Sequence, residues 1–413
     1  VICLVLHALI NKSIGLKKIP PPIPTIPEMI PMTPPMKREI ILGIFLEIEK
    51  KNKKAFSCNS RPYKGMNTKF YQRYELLIFD LLISIAKKRK LPIKNRLCKN
   101  DTIPDVKDNL FDWKGLSFIE LAKQVVGVFV DDIQKDVLDS IIEEAYSDFE
   151  HKDVVGLDAL EDIFVLELFH GPTMAFKDVG ARFTSRCISY LNKLEKRVTV
   201  LVATSGDTGA AVASGFHGVD GIDVFILYPK NKISKIQEKQ ISTYSGNIFP
   251  IQVEGSFDDC QRMVKEALVD KDVLNKSNFT SANSINISRW IPQMLYYFFA
   301  YRQIQKENAK VSFSIPSGNY GNLFSCLLSR KLGLPIKNII SANNINNPVE
   351  KYILTGKYKP QPSKRTLSNA MDVGSPSNFV RVKELFESNL DRIRKVLYGY
   401  SFQILRQLKL LKS

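Results

Sequence analysis

"VTVLVATSGDTGAAVASGF" (198–216) sets the fold. Residues 198–204 form a short, nearly continuous apolar run, which suits a strand buried on both faces. "SGDTG" (205–209) then breaks the pattern with two glycines. Apolar residues resume at helical spacing in "AAVASGFHG" (210–218). Strand, glycine loop and helix in that order are the repeating unit of a parallel sheet with crossover connections.

The same alternation continues outward. "DVFILYP" (223–229) predicts a strand and "ISKIQEKQISTY" (233–244) a helix; "NIFPIQVE" (247–254) a strand and "FDDCQRMVKEAL" (257–268) a helix; "VSFSIP" (311–316) a strand and "NLFSCLLSRKLG" (322–333) a helix. Ahead of them, "SFIELAKQVVGVFV" (117–130) and "DVLDSIIEEAYSDF" (136–149) have apolar residues three and four apart and read as amphipathic helices. The expected fold is therefore α/β: open, mostly parallel sheets with crossover helices, preceded by a small helical N-terminal region. The expected organisation is an extension over 1–102, a helical region over 103–160, a catalytic α/β region over 161–401 and an atypical tail over 402–413.

Two strand-to-helix junctions share one design. "ATSGDTGAAVA" (203–213) and "IPSGNYGNLFS" (315–325) each follow a strand and open into a helix. Glycines let the backbone turn sharply, and free amides at a helix N-terminus favour an anion. Ligands in open parallel sheets sit at the carboxyl ends of strands, where such loops lie. A tight structural connection is the alternative for either loop alone. Neither has the GxGxxG of a dinucleotide site or the GK[ST] ending of a nucleotide loop, so a small anionic molecule is the ligand expected.

A third stretch, "LELFHGPTMAFKDVGARF" (166–183), places Lys177 at the start of a helix predicted over 178–193. Met174, Ala175 and Phe176 precede it, and apolar neighbours at a helix N-terminus disfavour a charged ammonium. A neutral lysine amine is what a covalently held aldehyde cofactor needs; an exposed or ion-paired lysine is the other reading.

The chain has 413 residues and a formal charge of +17. Residues 1–100 carry 20 basic and 6 acidic side chains, and the tail adds Arg406, Lys409 and Lys412 without an acid, so the body between is neutral. "IPPPIPTIPEMIPMTPP" (19–35) can form neither helix nor central strand. These ends read as extensions outside the fold, not as a nucleic-acid surface. The six cysteines are scattered, with no CxxC and no zinc spacing, so neither a disulfide framework nor a metal is expected. No apolar run reaches the ~18 residues of a membrane span. The expected location is cytoplasmic, with no nucleic-acid or membrane partner; oligomeric state stays open.

"LFHGPTMAFKDVGARF", "ATSGDTGAAVASGF", "SANSINISRWIPQMLYYF" and "SIPSGNYGN", in this order and spacing, resemble the threonine synthase family, which uses pyridoxal 5'-phosphate (PLP) and has the fold-type II architecture. "LSNAMDVGSPSNFVR" (367–381) is similar as well. The resemblance spans about residues 103–402. It implies that Lys177 holds PLP and that Gly318, Asn319, Tyr320, Gly321 and Asn322 bind the cofactor, chiefly its phosphate. It implies a substrate loop of Ser205, Gly206, Asp207, Thr208 and Gly209, with Asn283, Ser288 and Arg289 on the substrate side. Arg289 is then a candidate for the substrate phosphate, a structural arginine being the alternative, and His170 is either near the ring or structural. The implied reaction is conversion of O-phospho-L-homoserine and water to threonine and phosphate, a carbon–oxygen lyase chemistry. A serine/threonine dehydratase or cysteine synthase is the neighbouring alternative, and a fragment without activity another. "FQILRQLKLLKS" (402–413) departs from the family, which continues beyond it with a block that includes a hydroxyl residue facing the pyridine nitrogen; a shift of reading frame near Phe402 would produce such a tail. The family's N-terminal pattern has only a faint echo in "KLPIKNRLCKNDTIPDV" (90–106).

Overall fold

A computed structural model describes residues 2–6, 105–110, 112–130, 133–160, 163–192, 197–270, 278–304 and 311–401. The stretch 198–216 folds as read: strand β4 (Val198–Ala203), a loop, then helix α4 (Asp207–Phe216). Strands β5 (Ile222–Pro229), β6 (Ile248–Val253) and β7 (Asn278–Ser281) complete a parallel sheet in the order β6-β5-β4-β7.

Side chains alternate across this sheet, so its two faces bury different sets. Val200, Val202, Val224 and Ile226 pack against Ala210, Ala211, Val212, Ala213 and Phe216 of α4. Leu201, Ala203, Phe225 and Leu227 face the other way, onto Cys260, Met263, Val264 and Ala267 of α6 (Phe257–Ala267). Both faces are covered, which is why β5 is buried at every position and reads as a nearly continuous apolar run. Between them, α5 (Lys235–Ser242) links β5 to β6.

The second sheet runs β10-β9-β8-β1-β3-β2, with β2 (Gly156–Leu160) and β3 (Ile163–Glu167) antiparallel and every other pairing parallel. Strands β8 (Val311–Pro316), β9 (Ile336–Asn343) and β10 (Leu397–Ser401) form one side. Strand β1 (Ile2–Leu6) lies between β8 and β3, with Ile2 opposite both Ile163 and Ser312. This differs from the expectation that the first 102 residues lie outside the fold. "ICLVL" is apolar at every position, which suits a central position in a parallel sheet. The proline-rich and basic segments and the 402–413 tail lie outside the described residues.

Helices α1 (Phe118–Gly127) and α2 (Lys135–Tyr146) pack their apolar faces into the larger core, with α8 (Met294–Ile304) and α9 (Gly321–Lys331). Ser117 and Glu120 form a reciprocal capping box at the start of α1. Helix α3 (Lys177–Asn192) packs on α2, on α4 and on the short α7 (Ile287–Trp290). The helix expected over 178–193 is there, and Asp178 through Ser185 are all buried. Small residues make this possible: Gly180 lies against the Arg289 backbone carbonyl, and Ala181 against Gly215. Among the described residues no helix is long and apolar enough to cross a membrane, and Cys187, Cys260 and Cys326 are buried and in no disulfide.

A methyl group at position 180 would overlap the Arg289 carbonyl, which is backbone and cannot swing aside. Gly180→Ala is expected to cost about 1–3 kcal/mol of stability. Urea unfolding checks this as a lower midpoint at an unchanged slope.

Candidate active site

The turn before α3 is built on a buried carboxyl group. Asp178 accepts from the Thr173 amide at 2.9 Å and from its hydroxyl at 2.6 Å. The Met174 amide donates to the Gly171 carbonyl and the Asp178 amide to that of Ala175. Any side chain at Gly171 would overlap Asp178 and Phe149. Met174 takes a left-handed backbone (φ 55°), an uncommon conformation for a residue with a side chain. The Tyr296 hydroxyl donates to the Phe176 carbonyl. Burial pushes the Asp178 carboxyl up to about 6, against the opposing pull of the Thr173 hydrogen bonds.

Lys177 is thereby fixed as the first residue of α3. Its Nζ lies 3.4 Å from Asp207 Oδ2 and 4.9 Å from the centre of the Phe176 ring. The expectation of surroundings hostile to the ammonium is corrected here: Lys177 has a carboxylate partner, brought by α4 from thirty residues along the chain.

Asp207 is held in turn by the loop it begins. Thr204, fully buried, accepts through Oγ1 from the Gly206 amide at 2.9 Å and the Gly209 amide at 2.8 Å. Gly206 adopts φ 135°, a conformation open to glycine, and its Cα face is pressed against the Gln237 amide. Gln237 donates to Asp207 Oδ1 at 2.6 Å. Helix α4 begins at Asp207, three residues before the apolar pattern starts, because this loop supplies its cap.

The second loop caps α9. Tyr320 sits at its N-cap with φ 65° and makes no side-chain cap bond. The first-turn amides of Gly321 and Asn322 have no acceptor within the helix. Side chains around them are spent on structure. The Tyr320 hydroxyl is buried between Asn343 and Ser341, each at 2.7 Å, and burial pushes it up. Asn319 accepts from the Ser377 amide at 2.6 Å and donates to Ser284 at 3.1 Å. Asn322 donates to the Pro316 carbonyl at 2.9 Å and accepts from the Leu323 amide at 2.9 Å. Any anion held here would meet backbone amides. Gly318 fits under the backbone of Met371, 2.8 Å from where a Cβ would stand.

Residues 154–408 match the family described as pyridoxal-phosphate dependent enzyme, and residues 97–146 match threonine synthase N terminus. A threonine synthase of Buchnera aphidicola is 45% identical over 286 residues, covering 69% of this chain and 66% of the relative. The crystal structure of threonine synthase from Escherichia coli superposes with a TM-score of 0.68 at 38% identity, over 75% of this chain and 73% of that one. A PLP-bound threonine synthase from Brucella melitensis superposes at 0.67 with 32% identity, covering 73% and 71%. The chain belongs to the threonine synthase family. It spans about two thirds of the length of the Buchnera relative.

Within this threonine synthase fold, Lys177 and the 205–209 loop come together directly, whereas three expected substrate-side residues do not join them as free side chains. Asn283 clamps the end of β4, donating to the Ala203 carbonyl at 2.7 Å and accepting from its amide at 3.0 Å. Ser288 bonds Asn286 at 2.7 Å and Thr184 at 3.0 Å. Arg289 is 2% exposed and donates to the Ala282 carbonyl, and burial pushes its guanidinium down to about 10. That bond makes it an internal tie, while its Nε has no hydrogen-bond partner among the described residues. His170 pairs with Glu167 at 3.0 Å and lies against His151 with the rings tilted, their centres 5.0 Å apart.

Sequence reasoning missed Thr204, Asp178, Gln237 and Asn369 as site-building residues. Asn369 lies in the family-like 367–381 segment, which was the available signal. Nothing local marks Gln237, whose role depends on a partner thirty residues away.

Asp178 makes one pH prediction. Its carboxyl holds a proton to about pH 6 in the fold but releases it near 3.8 when unfolded. The native state therefore binds more protons in that window, and Asp178 costs stability as pH rises through it. Asp178→Asn is expected to gain in unfolding free energy relative to the parent chain between about pH 4 and 6, with a constant difference above. Urea titrations of both proteins across that range check it.

Proposed function

We propose that this chain is a threonine synthase, converting O-phospho-L-homoserine and water to L-threonine and phosphate with PLP held on Lys177. The observation that carries this reading is the lysine–carboxylate pair: Lys177 opens α3, Asp207 opens α4, and 3.4 Å separates their charged atoms.

The residues fit the cofactor. A lysine amine suits its aldehyde, and the α9 N-terminus, whose N-cap Tyr320 makes no side-chain cap bond, suits its phosphate. Gly318, Asn319, Tyr320, Gly321 and Asn322 would supply that cradle through their backbone. Ser205, Thr208 and the backbone amides of Asp207 and Thr208 at the start of α4 suit the anionic end of the substrate.

The electron sink for the pair left at substrate Cα is the chemistry that the cofactor supplies. Lys177, freed when the substrate amine takes its place, is positioned to remove the Cα proton and to return protons along the chain. Asp207 stabilises the ammonium formed at that moment. Phosphate departs from Cγ, and water adds at Cβ. The buried thiols of Cys187, Cys260 and Cys326, in no disulfide among the described residues, fit a cytoplasmic location.

Purified chain mixed with PLP is expected to develop a visible absorption band that borohydride fixes on Lys177, located by peptide mass spectrometry. It should release phosphate from O-phospho-L-homoserine. Lys177→Ala is expected to lose the fixed cofactor and at least about a hundredfold in kcat. Ammonia release from threonine, without phosphate release from the phosphate ester, would point to a dehydratase instead.

A further inference from the structure

We infer that Gln237 is a positioning residue for Lys177, acting through Asp207. The inference rests on the assignment of the cofactor to Lys177.

The orientation of the Gln237 amide is determined by its surroundings. The Ser234 backbone N–H can only donate, and it lies 2.9 Å from Gln237 Oε1. The Gln237 NH2 group must therefore point the other way, and it meets Asp207 Oδ1 at 2.6 Å. That bond turns the second oxygen, Oδ2, toward Lys177. The order of contact is amide, carboxylate, ammonium, with donors and acceptors matched at each step.

A second anchor comes from the far side of the chain. Asn369 Nδ2 donates to the same Gln237 oxygen at 2.9 Å. Asn369 begins a 3-10 turn (Asn369–Met371) in a strap pinned by Asp372. Asp372 accepts from the Thr366 amide at 2.8 Å, the Thr366 hydroxyl at 2.6 Å and Asn344 at 2.8 Å. The same turn lays Met371 over Gly318 of the other loop. One rigid strap therefore touches the α9 loop through Met371 and the α4 loop through Asn369 and Gln237. Gln237 is the point at which the strap's position reaches the carboxylate that faces the lysine.

The competing role is structural, since Gln237 is also the third residue of the α5 capping box. Glutamate serves that box as well as glutamine does. Gln237→Glu keeps the size and keeps the oxygen that accepts from Ser234 and Asn369. It replaces only the NH2 that donates to Asp207, setting oxygen against oxygen. A residue that merely caps α5 would tolerate this exchange.

The test compares the parent chain, Gln237→Glu and Asn369→Ala, each loaded with PLP. For Gln237→Glu the melting temperature should stay within a few degrees of the parent. Its kcat should fall at least about tenfold, with KM for O-phospho-L-homoserine changed by less than about threefold. At limiting PLP, the share of Lys177 fixed by borohydride should fall to about half or less of the parent's. Asn369→Ala, outside any helix cap, should move the same readouts in the same direction by about two- to fivefold. It decides the matter if Gln237→Glu does not fold. Parent-like fixation and kcat in the folded variants would overturn the inference. Failure of the parent chain itself to fix PLP on Lys177 would instead overturn the functional reading.

Discussion

The contact between Lys177 and Asp207 is the constraint on which the site depends. Both groups are only partly exposed, 17% and 25% at the side chain, so their attraction is less screened than that of a surface pair. Neither residue chooses its position. Lys177 stands where the turn closed by buried Thr173 and Asp178 ends, and Asp207 stands where the hydroxyl of Thr204 ties off the strand. Each half is rigid for its own local reason, and the pair forms because α3 and α4 pack together.

That packing depends on small residues. Helix α3 is buried around its first two turns, and neighbours approach it at Gly180 and Ala181 closely enough to exclude larger side chains. Burying a helix this completely leaves its polar groups to be satisfied inside the protein. Thr184 donates to the Gly180 carbonyl, Ser185 to that of Arg182, and Arg182 to the Ala145 carbonyl and Asp148. Arg289 belongs to the same interior. Its charge is taken out of water by the packing that brings α7 against α3, and it ties to the Ala282 carbonyl inside the protein.

The two loops are alike in sequence but differ in how they are braced. The 205–209 loop is organised from within, by Thr204, and from one side, by Gln237. The 318–322 loop uses its own Asn319, Tyr320 and Asn322 side chains to anchor its backbone, leaving its amides as its chemical face. The strap containing Asn369 and Met371 lies across both, and it is held by a carboxylate, Asp372, that touches neither loop's chemistry.

The sequence by itself determined the alternation of strands and helices, since nearly continuous apolar runs such as "DVFILYP" and "VTVLVAT" fit strands covered on both sheet faces. It also determined the location of the two glycine loops and singled out Lys177, because turn residues and helix starts are local signals. It did not reveal β1 as a central strand, because "ICLVL" has no neighbouring partner and its place is fixed by pairing with residues 163–167 and 312–314. Nor could it assign Asn283, Ser288, Arg289 or Gln237. These polar side chains carry the same local pattern whether they face a ligand or a buried carbonyl. Only the tertiary packing decided which they meet, because it fixes the burial and the partner, and a hydrogen bond between residues thirty or more positions apart leaves no mark in the order of the chain.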